Sequence, residues 1–123
     1  EALEILGFTR AKGVELVERR LEPAAVRPGE AVEIAFDLHN AAPTAQHLLV
    51  DLRVHYRKAN GSTSPKVFKL RTVELAPGEM TSFRKRLSLA DLTTRRHHPG
   101  VHRVEALING APEMVGEFHL ADT

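Results

Sequence analysis

Two stretches of this chain repeat with a period of two, and no helix can bury such a pattern. Val32, Ile34, Phe36 and Leu38 alternate with Glu33, Ala35 and Asp37. Leu48, Val50, Leu52, Val54 and Tyr56 alternate with Leu49, Asp51, Arg53 and His55. Successive side chains of a strand point to opposite faces, so each run is a strand with one buried face. Phe68 and Leu70 begin another. Phe83, Leu87 and Leu89 mark a further one, where Lys85 interrupts the apolar face and signals a bulge or an edge. His102, Val104, Ala106 and Ile108 form the next, and Met114, Phe118 and Leu120 the last.

Turn residues separate these runs. Arg27-Pro28-Gly29-Glu30 and Ala76-Pro77-Gly78-Glu79 each precede a strand, and Asn60-Gly61 and Asn109-Gly110 are hairpin signals. The strands read as 14–21, 31–39, 47–57, 66–75, 79–89, 101–109 and 114–120. About seven short strands with regular turns predict an all-β, immunoglobulin/fibronectin-III-like antiparallel β-sandwich. Before them, Glu1 to Phe8 read as a short helical turn ended by Gly7. The expected organisation is a linker over 1–12, leading from a preceding domain, and one sandwich over 13–123.

Composition excludes several classes of function. There is no cysteine, so disulfides and thiolate zinc sites are ruled out and the core alone must hold the fold. No apolar run approaches the roughly 20 residues of a spanning helix, and no membrane partner is expected. The chain opens at Glu1 with no signal-peptide pattern. That reads as a segment of a longer cytoplasmic protein. Five Phe, one Tyr and no Trp leave few rings for sugar or base stacking.

No catalytic constellation emerges. No serine sits in a G-x-S-x-G elbow, and no G-x-x-x-x-G-K loop is present. Asp37 and Asp51 lack a second carboxylate at catalytic spacing. His97, His98 and His102 form an H-H-x-x-x-H cluster with Asp91 as the nearby acid, short of the four ligands and outer partners that zinc takes. No metal or cofactor is therefore expected. His102 follows Pro99-Gly100 in phase with Val104, so its ring N–H can bond back to loop backbone, as a tyrosine does at this corner of many sandwiches. Gly61 and Gly100 are structural, the first removing a Cβ from a turn.

Charge is informative by position. The net charge is only +1, too little for strong binding to nucleic acid by sum alone. In an up-and-down traverse, the loops after the first, third and fifth strands share one end. There lie Arg57, Lys58, Asn60, Ser62 and Lys66 in one loop, and Arg95, Arg96, His97 and His98 in another. The opposite end carries His39, His47, Glu74, Glu79 and Glu113 without Lys or Arg. Cations, hydroxyls and amides are the groups that contact phosphate. Two such loops could neutralise roughly four or five phosphates, with binding that weakens steeply in salt.

The run Val54-His55-Tyr56-Arg57-Lys58-Ala59-Asn60-Gly61-Ser62-Thr63-Ser64-Pro65-Lys66-Val67-Phe68-Lys69-Leu70 resembles the C-terminal immunoglobulin-like domain of AlkC-type DNA alkylation-repair glycosylases. So do Thr93 to Arg103, the closing Asn109-Gly110, and the opening Ala2 to Phe8. The resemblance implies a parent with HEAT-like helical repeats that excise alkylated bases such as 3-methyladenine, with the catalytic acids in that helical part. It implies that this domain is non-catalytic and a partner of duplex DNA and of the N-terminal repeats; a monomer is the default expectation. By position match it assigns DNA contact to Arg57, Lys58, Asn60, Ser62, Lys66, Arg95, Arg96 and His97, the five cations on the phosphate backbone and the other three as hydrogen-bonding groups. The alternative is an interdomain or protein–protein sandwich with no DNA contact, its basic loops serving solubility.

Overall fold

The computed structural model describes residues 13–91 and 97–122. The N-terminal turn expected over Glu1 to Phe8 lies outside them. The described residues form eight strands: β1 (Val14–Glu22), β2 (Ala25–Val26), β3 (Ala31–Asn40), β4 (Gln46–Arg57), β5 (Thr63–Leu75), β6 (Met80–Ser88), β7 (Gly100–Ile108) and β8 (Ala111–Leu120). A smaller sheet has the order β1-β3-β6 and a larger one the order β2-β8-β7-β4-β5. Every pairing is antiparallel except β2 with β8. This is the expected all-β sandwich. No helix among the described residues is long and apolar enough to cross a membrane.

The alternating residues make the core. Val32, Ile34, Phe36 and Leu38 of β3 face Leu48, Val50, Leu52 and Val54 of β4, and all are buried. Phe36 stacks on its register partner Phe83 with ring centroids 5.2 Å apart. Two buried asparagines close one end. Asn40 Nδ2 donates to the carbonyls of Thr44 and Leu75, and its Oδ1 accepts the N–H of Ala42. Asn109, at φ 50°, opens the two-residue Asn109-Gly110 hairpin loop and accepts the N–H of Leu49 on its Oδ1 at 2.7 Å. Positive φ at both loop positions is what a type I′ turn requires.

Three features depart from the sequence reading. The first strand ends at Glu22, the Glu22–Pro23 peptide is cis, and Ala25–Val26 then joins the larger sheet as β2. Two residues are too few for periodicity to reveal. The β5 strand starts at Thr63, not 66, because Ser64 and Pro65 pair with Tyr56 and His55. Pro65 is tolerated because β5 is an edge, where its missing N–H breaks no ladder bond. Lys66 is therefore a strand residue. Lys85 sits in unbroken register with Ile34, so it marks an edge strand and no bulge.

Candidate nucleic-acid interface

The register fixes which loops share an end. Ala31 pairs with Ser88 at one end of β3 and His39 with Met80 at the other. Along β4, Arg57 pairs with Thr63 and Gln46 with Leu75. The connections 23–30 and 58–62, with residues 89–91 and 97–99, thus gather at one end, as the traverse predicts. Arg95 and Arg96 lie outside the described residues.

The hairpin between β4 and β5 is built by its own side chains. Lys58 accepts the N–H of Gly61 at 3.0 Å and donates its own N–H to Ser62 O at 2.7 Å. Gly61 has φ 89°, the left-handed conformation that follows a type I turn in a three-residue loop. Asn60 Oδ1 accepts both the N–H and the hydroxyl of Ser62, at 3.0 and 2.7 Å. Asn60 and Ser62 thereby hold the shape of the loop that presents Lys58. The Lys58 side chain is exposed and makes no ion pair among the described residues.

Arg57 ties this hairpin to the start of β7. Its Nη1 donates to Gly61 O at 2.6 Å, and its stem lies against Gly100. A Cβ at Gly100, where φ is 128°, would stand 3.0 Å from Arg57 Nε. Nε is buried with no hydrogen-bond partner. The guanidinium sits at the domain end while its arm braces two loops.

Beneath lies a stack of rings. His102 is fully buried, parallel to Phe118 at 4.9 Å and edge-on to Tyr56 at 5.8 Å. Its Nδ1 accepts the N–H of Arg57 at 3.2 Å and its Nε2 meets His98 O at 3.0 Å. A carbonyl only accepts, so the proton is on Nε2 and the ring is neutral. Burial pushes its pKa down. The bond to His98 opposes that, and nearby His97, Arg57 and His119 push it lower. His97 rests on Tyr56 at 5.3 Å, and its N–H donates to Asp91 Oδ1 at 2.8 Å. Both nitrogens of His102 are thus engaged within the protein. Among the described residues no cluster of three or more His, Asp or Glu is placed to hold a metal ion.

Lys66 is separate from this end. It is in register with the core residue Val54, and its ammonium turns out over Phe68, 5.8 Å from the ring centroid. On the outer face of the larger sheet, sequence reasoning missed a second polar group. Glu105 accepts from Arg53 at 3.0 Å and pairs with His55. Burial raises the Glu105 pKa, but the bonds from His55 and Arg53 outweigh it and hold the carboxyl below its usual range. The register Arg53↔Glu105 carries this pair, and spacing along the chain does not show it.

Residues 15–122 match the family described as uncharacterised protein YhaZ, C-terminal Ig-like domain. YhaZ of Bacillus subtilis (strain 168) is 30% identical over 110 residues, covering 89% of this chain and 30% of that protein. Pseudomonas fluorescens alkylpurine DNA glycosylase AlkC, solved bound to DNA containing an abasic site analog, superposes with a TM-score of 0.89 and 36% identity. That match covers 98% of this chain and 33% of the glycosylase. A Listeria innocua β-glucosidase, solved with laminaribiose, superposes with a TM-score of 0.69 at 18% identity over 88% of this chain and 16% of its own, which shows the fold alone. The chain spans about a third of the length of YhaZ and AlkC.

Proposed function

Because the chain belongs to the family of YhaZ-type C-terminal Ig-like domains, we propose that it is a non-catalytic DNA-clamping domain of an alkylation-repair glycosylase. It holds duplex DNA for a HEAT-like repeat domain that removes alkylated bases such as 3-methyladenine. The observation that carries this reading is the match to AlkC, at 36% identity over nearly the whole chain, in a structure that contains DNA. Lys58, Arg57 and Lys66, with Arg95 and Arg96, pair with phosphates, and Asn60, Ser62 and His97 add hydrogen bonds or hold the loops that do. Contacts of this kind position a protein on the duplex and do not read sequence. With a net charge of +1, the domain alone binds weakly, at about 10⁻⁴ M in physiological salt.

The test is an NMR titration of the isotope-labelled chain with a short duplex at low and physiological salt. Amide shifts centred on 57–66 and 97–102 that fade with salt support the clamp. Binding that ignores salt, or no localised shift even at low salt, rejects it. One observation favours a second reading. Val67, Val101 and Met114 are 45%, 39% and 42% exposed on the outer face of the larger sheet, as suits packing against another protein domain. Shifts confined to that face on adding the helical-repeat domain would identify it.

A further inference from the structure

The strands β5 and β6 are edges of different sheets, yet they run along the same lateral side of the sandwich. Lys85 Nζ of β6 sits 5.0 Å from the Phe68 ring of β5. Arg71 of β5 places its guanidinium 4.6 Å from the Phe83 ring of β6 and donates to Ser82 O at 2.6 Å. Together the two strands carry six cations, Lys66, Lys69, Arg71, Arg84, Lys85 and Arg86, against the single acid Glu74. On the other side, β1 meets β8 through the bond from Arg19 to Met114 O, and these strands carry five glutamates against two arginines. A chain of net charge +1 is thus polarised across its width by topology alone.

The centre of the basic side is specific. Lys66 and Lys85 are in register with the core residues Val54 and Ile34, so both side chains leave the backbone toward the interior. Both then turn outward over one ring, with ammonium groups 5.8 and 5.0 Å from the Phe68 centroid. Neither makes an ion pair with a carboxylate among the described residues. An inward charge on an edge strand prevents edge-to-edge aggregation, but a glutamate would do so equally well. Two like charges brought to one ring repel, and the ring offsets only part of that cost. An anion between them removes it. Strands of this length extend about 30–40 Å at roughly 3.3 Å per residue, close to the 34–36 Å of one duplex turn.

We propose that the lateral edge formed by β5 and β6, centred on Lys66, Lys85 and Arg71, is a contact surface for the phosphate backbone of duplex DNA. It rests on the DNA-clamp reading and moves the centre of contact from the loop end to the side of the sandwich, with Lys58 at the corner where the two meet.

The experiment is anisotropy of a labelled duplex with the 123-residue chain across a salt series, for wild type and two charge-matched variants. One carries Lys66→Gln, Arg71→Gln and Lys85→Gln. The other carries Arg19→Gln, Arg20→Gln and Arg103→Gln, away from the edge. The edge variant is expected to lose about 2–3 from the slope of log affinity against log salt, and at least tenfold in low-salt affinity. The control is expected to keep the wild-type slope. Equal weakening of both variants, or an edge variant that binds like wild type, overturns the edge while leaving the DNA reading intact. Wild-type chain that shows no salt-dependent binding overturns the DNA reading itself. Thermal unfolding checks that each variant folds. If the triple variant does not, Lys85→Gln alone is expected to lower the slope by about one, and an unchanged slope overturns the proposal.

Discussion

Arg57 and His102 are joined through the backbone N–H of the first and Nδ1 of the second, 3.2 Å apart. The same imidazole donates from Nε2 to His98 O, so a single neutral ring links the end of β4 to the loop before β7. Protonation would turn Nδ1 into a donor facing a donor. The folded state therefore disfavours the charged ring, and its pKa lies below the ordinary histidine value, chiefly through burial.

The sign of the pH effect follows. Below the unfolded pKa of about 6.5 the unfolded chain takes up a proton that the folded chain resists. The stabilisation is complete above that value and is lost as pH falls toward the lower folded pKa. Melting temperature is expected to fall between pH 7.5 and 5.5. In His102→Gln the amide oxygen can replace Nδ1 and the amide nitrogen can replace Nε2, so that variant should show a shallower fall. An identical pH slope in the two proteins would remove His102 from the account.

A second prediction concerns the backbone at Gly100. Its φ of 128° disfavours any side chain, and a Cβ there meets Arg57 Nε at 3.0 Å and Cγ at 3.4 Å. Gly100→Ala is expected to cost about 2–4 kcal/mol, from strain and the clash together. In an Arg57→Ala background only the strain remains, so the cost should drop by about 1 kcal/mol or more. Additive costs in a double-mutant cycle measured by urea denaturation would show that the two residues do not press on each other.

Much of the fold was legible because alternation and turn chemistry are local signals. Val32 to Leu38 and Leu48 to Tyr56 announced their buried faces residue by residue, and Asn109-Gly110 its hairpin. What escaped was set by partners distant in sequence. Ser64 and Pro65 read as loop by type, yet they pair as an edge strand with Tyr56 and His55. Asn60 and Ser62 read as groups for a phosphate, yet they bond to each other. The end of the domain at which the loops gather was readable from strand order. The sideways separation of charge was not, because it depends on which strands become edges.

A third prediction uses Glu105, which is 15% exposed and bonded by Arg53 and His55. Its pKa is held down, so its contribution is present above the unfolded value of about 4.3 and is lost as pH falls through the folded value. Glu105→Gln should cost about 1–3 kcal/mol at pH 7, since Arg53 and His55 then face a neutral acceptor in place of a carboxylate. The cost should shrink below pH 4. A pH-independent difference in denaturation midpoint would assign it to packing instead.

Asp51, on the same sheet face, carries the opposite sign. One of its oxygens is buried with no hydrogen-bond partner, beside a register shift in the β4–β5 ladder. Burial raises its pKa, and Lys69 opposes this only in part. Ionised Asp51 therefore works against the fold above its folded pKa, and the cost vanishes below the unfolded value of about 3.9. Asp51→Thr removes the orphaned charge and supplies a β-branched residue suited to a strand. Its melting temperature at pH 7 should rise by about 2–5 °C, with a smaller gain at pH 4. A lower melting temperature at pH 7 would mean that Asp51 has a stabilising partner, and the electrostatic account of this face would have to be reversed.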